Sequence, residues 1–183
     1  ASSYNDKSIA ERKPMHPFGY LRITAASQAT TVANPKANRL AVEAVLSSLP
    51  ESDIVLFPEL TLSGYTCGEL FMQRTLMDEC LNELLKLCES SRNTHAMNVV
   101  GLPMTIEGRL YNLAAVLQAG KLLGLVPKQY LPTYQEFYEG RWFAAGDATL
   151  PAELSIPGLG LVPIGIDLLF ASGEAIVGIE ICE

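Results

Sequence analysis

Two hydrophobic periods alternate along this chain, one near two residues and one near three to four. Leu21–Ala26 is a short strand-like run. Asn34-Pro35 supplies an N-cap and a first helical position, and Leu40, Val45 and Leu49 follow at helical spacing. Asp53–Phe57 is a nearly continuous apolar run, as in a strand covered on both faces. Thr66-Cys67-Gly68-Glu69 has the form of a capping box. Behind it Leu70, Met77, Leu81, Leu84, Leu85 and Cys88 repeat at helical period to about Glu89. Met97–Pro103, Tyr111–Gln118 and Leu122–Val126 are predicted strands, with Ala119-Gly120 as the hairpin turn between the last two. A loop rich in aromatic residues runs from Tyr130 to Phe143, and further strands are predicted at Leu161–Ile166 and Ala175–Cys182. This order predicts an α/β layered fold with helices over a mixed sheet.

Composition narrows the function classes. The chain has 183 residues, 49% of them hydrophobic, enough for one domain with a sizeable core. Its formal net charge is −7 and no basic cluster is present, which argues against nucleic acid or an anionic membrane as partner. Its apolar runs are too short for a bilayer-spanning helix. Residues 1–17 are polar, lack the apolar core of a signal peptide and read as an N-terminal leader to a domain over 18–183. Four cysteines (Cys67, Cys80, Cys88, Cys182) form no dense framework, so reduced thiols and a cytoplasmic setting are expected. With His16 and His95 the only histidines and no cysteine pair at zinc spacing, no metal site is expected.

Candidate chemistry lies at three strand ends: Glu59 after Phe57-Pro58, Lys128 after Val126-Pro127, and Cys182 in Gly178-Ile179-Glu180-Ile181-Cys182-Glu183. Singly, each has a plain reading: a solvated Glu, a solvated Lys, a small core Cys. Together they supply what covalent amide chemistry needs. A thiol needs a base, and the tetrahedral anion it forms needs a positive donor.

These three segments, in this order, resemble the carbon–nitrogen hydrolase (nitrilase) superfamily, which implies a four-layer αββα sandwich and a Glu–Lys–Cys amidase triad. Residues 57–71, the stretch Pro127 to Glu139, and Gly165 to Phe170 are similar, more narrowly, to the glutaminase domain of glutamine-dependent NAD⁺ synthetases. The likeness runs from about Phe18 to the last residue. It implies that Glu59 is the general base, Cys182 the nucleophile and Lys128 the oxyanion donor, with L-glutamine as substrate. Tyr134 and Tyr65 would line the glutamine pocket, though packing of an aromatic cluster with Phe137, Tyr138 and Trp142 explains them equally well. Glu183 would receive the amino group of glutamine or serve structure alone, and Glu136 would support Lys128.

The resemblance also implies a homo-oligomer and a C-terminal synthetase domain that uses ATP and Mg, with no cofactor in this domain. Because a complete domain of that type extends beyond Cys182, the expected αββα sandwich is incomplete in this chain, which reads as an N-terminal fragment. The alternatives are a stand-alone amidase of the same superfamily, acting on an ω-amide or N-carbamoyl compound, and a non-catalytic interaction module that keeps the fold.

Overall fold

A computed structural model describes residues 19–182; the expected leader, Phe18 and Glu183 lie outside the described residues. A five-stranded sheet forms its centre. Strands β1 (Ile23–Ala25), β2 (Ile54–Leu56), β3 (Met97–Ile106), β4 (Arg109–Gln118) and β5 (Lys121–Pro127) lie side by side in chain order. The β1–β2 and β2–β3 pairs are parallel, and β3–β4 and β4–β5 are antiparallel. Two tight turns close the meander, at Glu107-Gly108 and Ala119-Gly120. All four residues have positive φ (49°, 79°, 49° and 78°), the geometry that matches strand twist in a two-residue hairpin. The first turn extends β3 and β4 beyond the expected ends at Pro103 and Tyr111. Pro103, which offers no N–H to a ladder, sits inside β3 opposite Asn112.

Helices α1 (Pro35–Ser48) and α2 (Arg74–Ser90) cover one face of the sheet, where Val42, Leu84, Leu87, Val100, Leu102 and Leu113 join one apolar cluster. As expected, the Asn34 side chain accepts from the Ala37 N–H at 3.1 Å, and Pro35 opens α1. The buried stripe differs from expectation: it carries Pro35, Asn38 and Val42, while Leu40 is half exposed. Asn38 is buried because its amide is satisfied. It accepts from the Thr31 N–H and donates to the Thr31 and Leu62 carbonyls.

The capping box does not form. Gly68 takes a φ of 56°, a 3₁₀ turn runs over Gly68–Met72, and α2 starts at Arg74 without a side-chain cap. Glu69 pairs instead with Arg141 at 2.7 Å.

The second face of the sheet carries Ile54, Met97, Val99, Ala114, Val116 and Val126. A hairpin of β8 (Leu169–Ser172) and β9 (Ala175–Gly178) packs on it through Phe170 and Val177, followed by Ile179 and Ile181. A second small hairpin pairs β6 (Glu153–Ile156) with β7 (Gly160–Pro163). β6 and β8 escape the hydrophobic pattern because they are short and half exposed. The strand expected over Ala175–Cys182 ends at Gly178, opposite Leu169, where its ladder ends. The layers are therefore helices, sheet, hairpin. Among the described residues no helix is long and apolar enough to cross a membrane.

One buried charge couples the two helices. The Glu83 side chain on α2 is 0% exposed and accepts from Arg39 Nε of α1 at 2.5 Å and from Lys86 Nζ. Burial works to raise its pKa, but the bonds from Lys86 and Arg39 outweigh burial and hold the carboxyl below its ordinary value. Glu83→Ala is expected to destabilise the protein by about 3 kcal/mol, the scale for breaking a buried pair, read as a shift in denaturant midpoint. A carboxyl depressed by folding stabilises above its ordinary pKa and loses that contribution as pH falls through the lowered value. The mutational difference should therefore be full at neutral pH and shrink only in acid below the usual carboxylate range.

Candidate active site

Glu59 sits on the turn that leaves β2, and long-range bonds shape that turn. Phe57 N–H donates to the Val99 carbonyl at 2.9 Å, and Leu62 N–H donates to the Gly101 carbonyl at 3.0 Å, so the turn folds down onto β3. Leu60, next to Glu59, has a φ of 52°. Gly101 makes the close approach possible. A Cβ there would lie 2.4 Å from the Leu60 nitrogen, 2.8 Å from the Pro58 oxygen and 2.9 Å from the Glu59 carbonyl carbon, all backbone atoms.

Lys128 directly follows β5. Its N–H donates to the Asn112 carbonyl at 2.8 Å, and its own carbonyl accepts from Gly146 at 2.7 Å. Its side chain is 1% exposed and ends between two carboxylates, with Nζ 2.8 Å from Glu59 Oε1 and 2.8 Å from Glu139 Oε1. Burial alone would lower the ammonium's pKa; the bonds to Glu139 and Glu59 outweigh it and hold Lys128 above its ordinary value, so it is a cation at neutral pH.

Glu139, not Glu136, is the second carboxylate on Lys128. Glu136 is exposed on the loop, whereas Glu139 is buried. Gln135 reverses the chain with a φ of 54°, and a 3₁₀ turn over Glu139–Arg141 turns Glu139 inward. The Glu139 carbonyl also accepts from Trp142 and Phe143. Both glutamates lie in one irregular aromatic loop, and nothing in the spacing separates them.

Tyr65 donates its hydroxyl to the same Glu139 oxygen at 2.5 Å. Burial first, then that bond and the charges of Glu139, Glu59 and Cys182, push the Tyr65 phenol well above its ordinary pKa. Phe137 packs edge-on against both Tyr65 and Tyr134, at ring separations of 6.5 and 5.9 Å. Trp142 packs instead against Phe71. Tyr65 and Tyr134 thus belong to an aromatic cluster and line a cavity at the same time. That cavity, of about 320 Å³, brings together Glu59, Tyr65, Lys128, Tyr134, Glu139 and Cys182. Glu183, the remaining expected substrate contact, lies outside the described residues.

Cys182 is exposed, whereas Cys67, Cys80 and Cys88 are buried. Its φ is 46°, a left-handed conformation that a non-glycine residue holds only under constraint from its surroundings. Burial raises the pKa of the thiols of Cys67, Cys80 and Cys88, that of Cys80 to about 12. A carboxylate, a buried ammonium and an accessible thiol around one cavity can carry out nucleophilic substitution at an acyl carbon. Sequence reasoning also missed Asn112, whose side-chain N–H donates to Glu59 Oε1. Its signal is an amide in the middle of the apolar strand Leu110 to Leu117.

No family model matches the chain. Among curated relatives, the glutamine-dependent NAD(+) synthetase of Mycobacterium tuberculosis (strain ATCC 25618 / H37Rv) is 39% identical over 173 residues, which cover 92% of this chain and 25% of that protein. The crystal structure of a glutamine-dependent NAD(+) synthetase from Cytophaga hutchinsonii superposes with a TM-score of 0.79 at 26% identity, over 86% of this chain and 27% of that one. The chain is homologous to a segment of the glutamine-dependent NAD(+) synthetases. It spans about a quarter of the length of the curated relatives it matches. A carbon–nitrogen hydrolase from Helicobacter pylori G27 shares the fold at 20% identity and a TM-score of 0.55, over 70% of this chain and 45% of that one. The synthetase-like segment therefore has the carbon–nitrogen hydrolase fold.

Two outcomes test the site before any substrate is named. In native protein, iodoacetamide should label Cys182 and leave Cys67, Cys80 and Cys88 unmodified, as read by peptide mass spectrometry. Gly101→Ala should slow that labelling by ~10²-fold, the scale of an ångström-sized misplacement in a reacting constellation. Unchanged labelling in Gly101→Ala would show that the seat of Glu59 has no bearing on the thiol.

Proposed function

We propose that this chain hydrolyses the side-chain amide of L-glutamine through a thioester on Cys182. The released ammonia would feed ATP- and Mg-dependent amidation of deamido-NAD⁺ in a C-terminal synthetase domain. The observation that carries the chemistry is the Lys128 ammonium, 1% exposed, bonded to Glu59 and Glu139 in a cavity shared with Cys182. The choice of substrate is supported by 39% identity, over nearly the whole chain, to proteins named for glutamine. The stand-alone amidase reading has less support, since the carbon–nitrogen hydrolase neighbour stands at 20% identity and speaks for fold alone.

The steps follow from the residues. Glu59 takes the Cys182 proton as sulfur attacks the amide carbon, forming the C–S bond and placing negative charge on the amide oxygen. An ammonium has three donors; Glu59 and Glu139 occupy two on Lys128, and the third is available to that oxyanion. The C–N bond then breaks, and nitrogen leaves as ammonia with the proton returned by Glu59. Water, deprotonated by Glu59, attacks the thioester and releases glutamate with the thiol restored. Tyr65 and Tyr134 flank the glutamine, and Glu183 would meet its amino group. The same proposal takes the enzyme to be cytoplasmic and homo-oligomeric.

Cys182→Ala in the full-length protein should abolish glutamine-dependent NAD⁺ formation while sparing the ammonia-dependent reaction. Equal loss of both, with folding intact, would contradict the division of labour. Lys128→Ala should slow acylation by ~10²-fold or more, the cost of one oxyanion donor. Glu59→Gln should slow acylation and thioester hydrolysis alike, because one carboxylate serves both proton transfers. Near-normal turnover in Glu59→Gln, measured by single-turnover kinetics, would remove Glu59 from the role of base.

A further inference from the structure

Asn112 stands in the middle of β4, 1% exposed, with Leu110, Leu113 and Ala114 as apolar neighbours. Its backbone carbonyl accepts the Lys128 N–H at 2.8 Å, and its side-chain amide donates to Glu59 Oε1. One residue thus holds the main chain that carries the ammonium and the side chain of the carboxylate. The amide orientation is fixed by chemistry, because the reversed amide would set its carbonyl oxygen against a carboxylate oxygen.

This arrangement leaves Asn112 Oδ1 buried without a hydrogen-bond partner. A buried, unpaired amide oxygen costs stability, and an apolar residue of similar volume would suit a strand of Leu and Ala better. Packing therefore does not explain the amide; the bond to Glu59 does. Lys128 and Asn112 both donate to Oε1, so neither occupies Oε2. Two donors on one oxygen fix the rotation of the carboxylate about its last torsion, a motion that one donor leaves loose.

We infer that Asn112 is a positioning residue of the reaction. It locks Glu59 through Oε1 so that Oε2 is the oxygen presented to the Cys182 thiol and, later, to water. The inference rests on Glu59 acting as the base. Asn112 is absent from the lining of the cavity that holds Tyr65, Lys128 and Tyr134 and lines instead an adjoining cavity of about 280 Å³ with Gly101, Glu59 and Cys182, so its role in catalysis rests on its bond to Glu59.

The test compares steady-state glutamine hydrolysis by the full-length protein carrying Asn112→Leu or Asn112→Ser, each alone and combined with Glu59→Gln. Leu keeps the volume and Ser is too short to reach Glu59, so both remove the bond. The expected result is a kcat lowered by about 10- to 10²-fold, the worth of a hydrogen bond to a charged group, with KM for glutamine unchanged. In the Glu59→Gln background the Asn112 substitutions should cost nothing further, since the group they act through is gone. An equal loss in both backgrounds would make Asn112 structural. A raised KM with intact kcat would make it a substrate contact, and failure of both variants to fold would make it a folding determinant. Each of these overturns the inference and leaves Glu59 as base intact. Full turnover in Glu59→Gln alone would instead remove the base, and this inference with it.

Discussion

The buried ammonium of Lys128 is the constraint on which the site and much of the surrounding chain depend. A lysine at 1% exposure is tolerable only when its charge is met by partners inside the protein. Here the partners come from residues 69 positions before it and 11 positions after it. Satisfying one charge therefore ties the turn after β2, the end of β5 and the loop over residues 130–143 to a single point. Tyr65 adds a fourth segment through Glu139. Loss of either carboxylate leaves a buried cation half paired, so any change that loosens the constellation also loosens the fold. The geometry of the candidate site is inherited from a requirement for folding.

Sheet direction explains why such distant residues meet. β2 and β3 run parallel, and the two antiparallel steps through β4 bring β5 back to the direction of β2. The C-terminal ends of β2 and β5 therefore open on the same edge of the sheet, and Glu59 and Lys128 are the residues that leave those ends. Between them lie β3 and β4. Gly101 on β3 lets the Glu59 turn settle against the backbone, and Asn112 on β4 reaches the same carboxylate from the other side. α1 secures the far end of that turn, since Asn38 donates to the Leu62 carbonyl.

This division also accounts for what the sequence made legible. Glu59, Lys128 and Cys182 stand out because each ends an apolar run, and a run of one period marks its own boundary. The Asn34-Pro35 start of α1 and the Ala119-Gly120 turn are likewise local, set by side chains within a few residues. The misassigned positions are those decided at long range. Leu40 yields the buried stripe to Asn38 because loop carbonyls distant in sequence satisfy an amide that propensity would expose. Glu139 displaces Glu136 because the loop folds around a cation fixed elsewhere. The capping box fails because Gly68 adopts positive φ and Glu69 finds Arg141. Local chemistry announces strand ends and caps; the fate of a polar side chain in a loop depends on which distant partner reaches it first.

The segment bearing Cys182, beyond the end of β9, shows how packing sets the placement of the thiol. From Ile176 to Cys182 burial alternates strictly, with Val177, Ile179 and Ile181 toward the second face of the sheet and Gly178, Glu180 and Cys182 away from it. Apolar packing of the odd positions thus sets which side the thiol takes, and the φ of 46° at Cys182 turns it toward the cavity. The surroundings of that packing carry large exposed apolar groups: Ile23 and Leu56 on the sheet, Leu169 and Ile176 on the hairpin. Apolar groups in such positions favour cover. A layer over them would deepen the burial of Ile179 and Ile181 and so tighten the hold on a strained cysteine backbone. The energy that keeps Cys182 in its unusual conformation then comes from the layer beneath it, just as the energy that keeps Glu59 in place comes from the charge on Lys128.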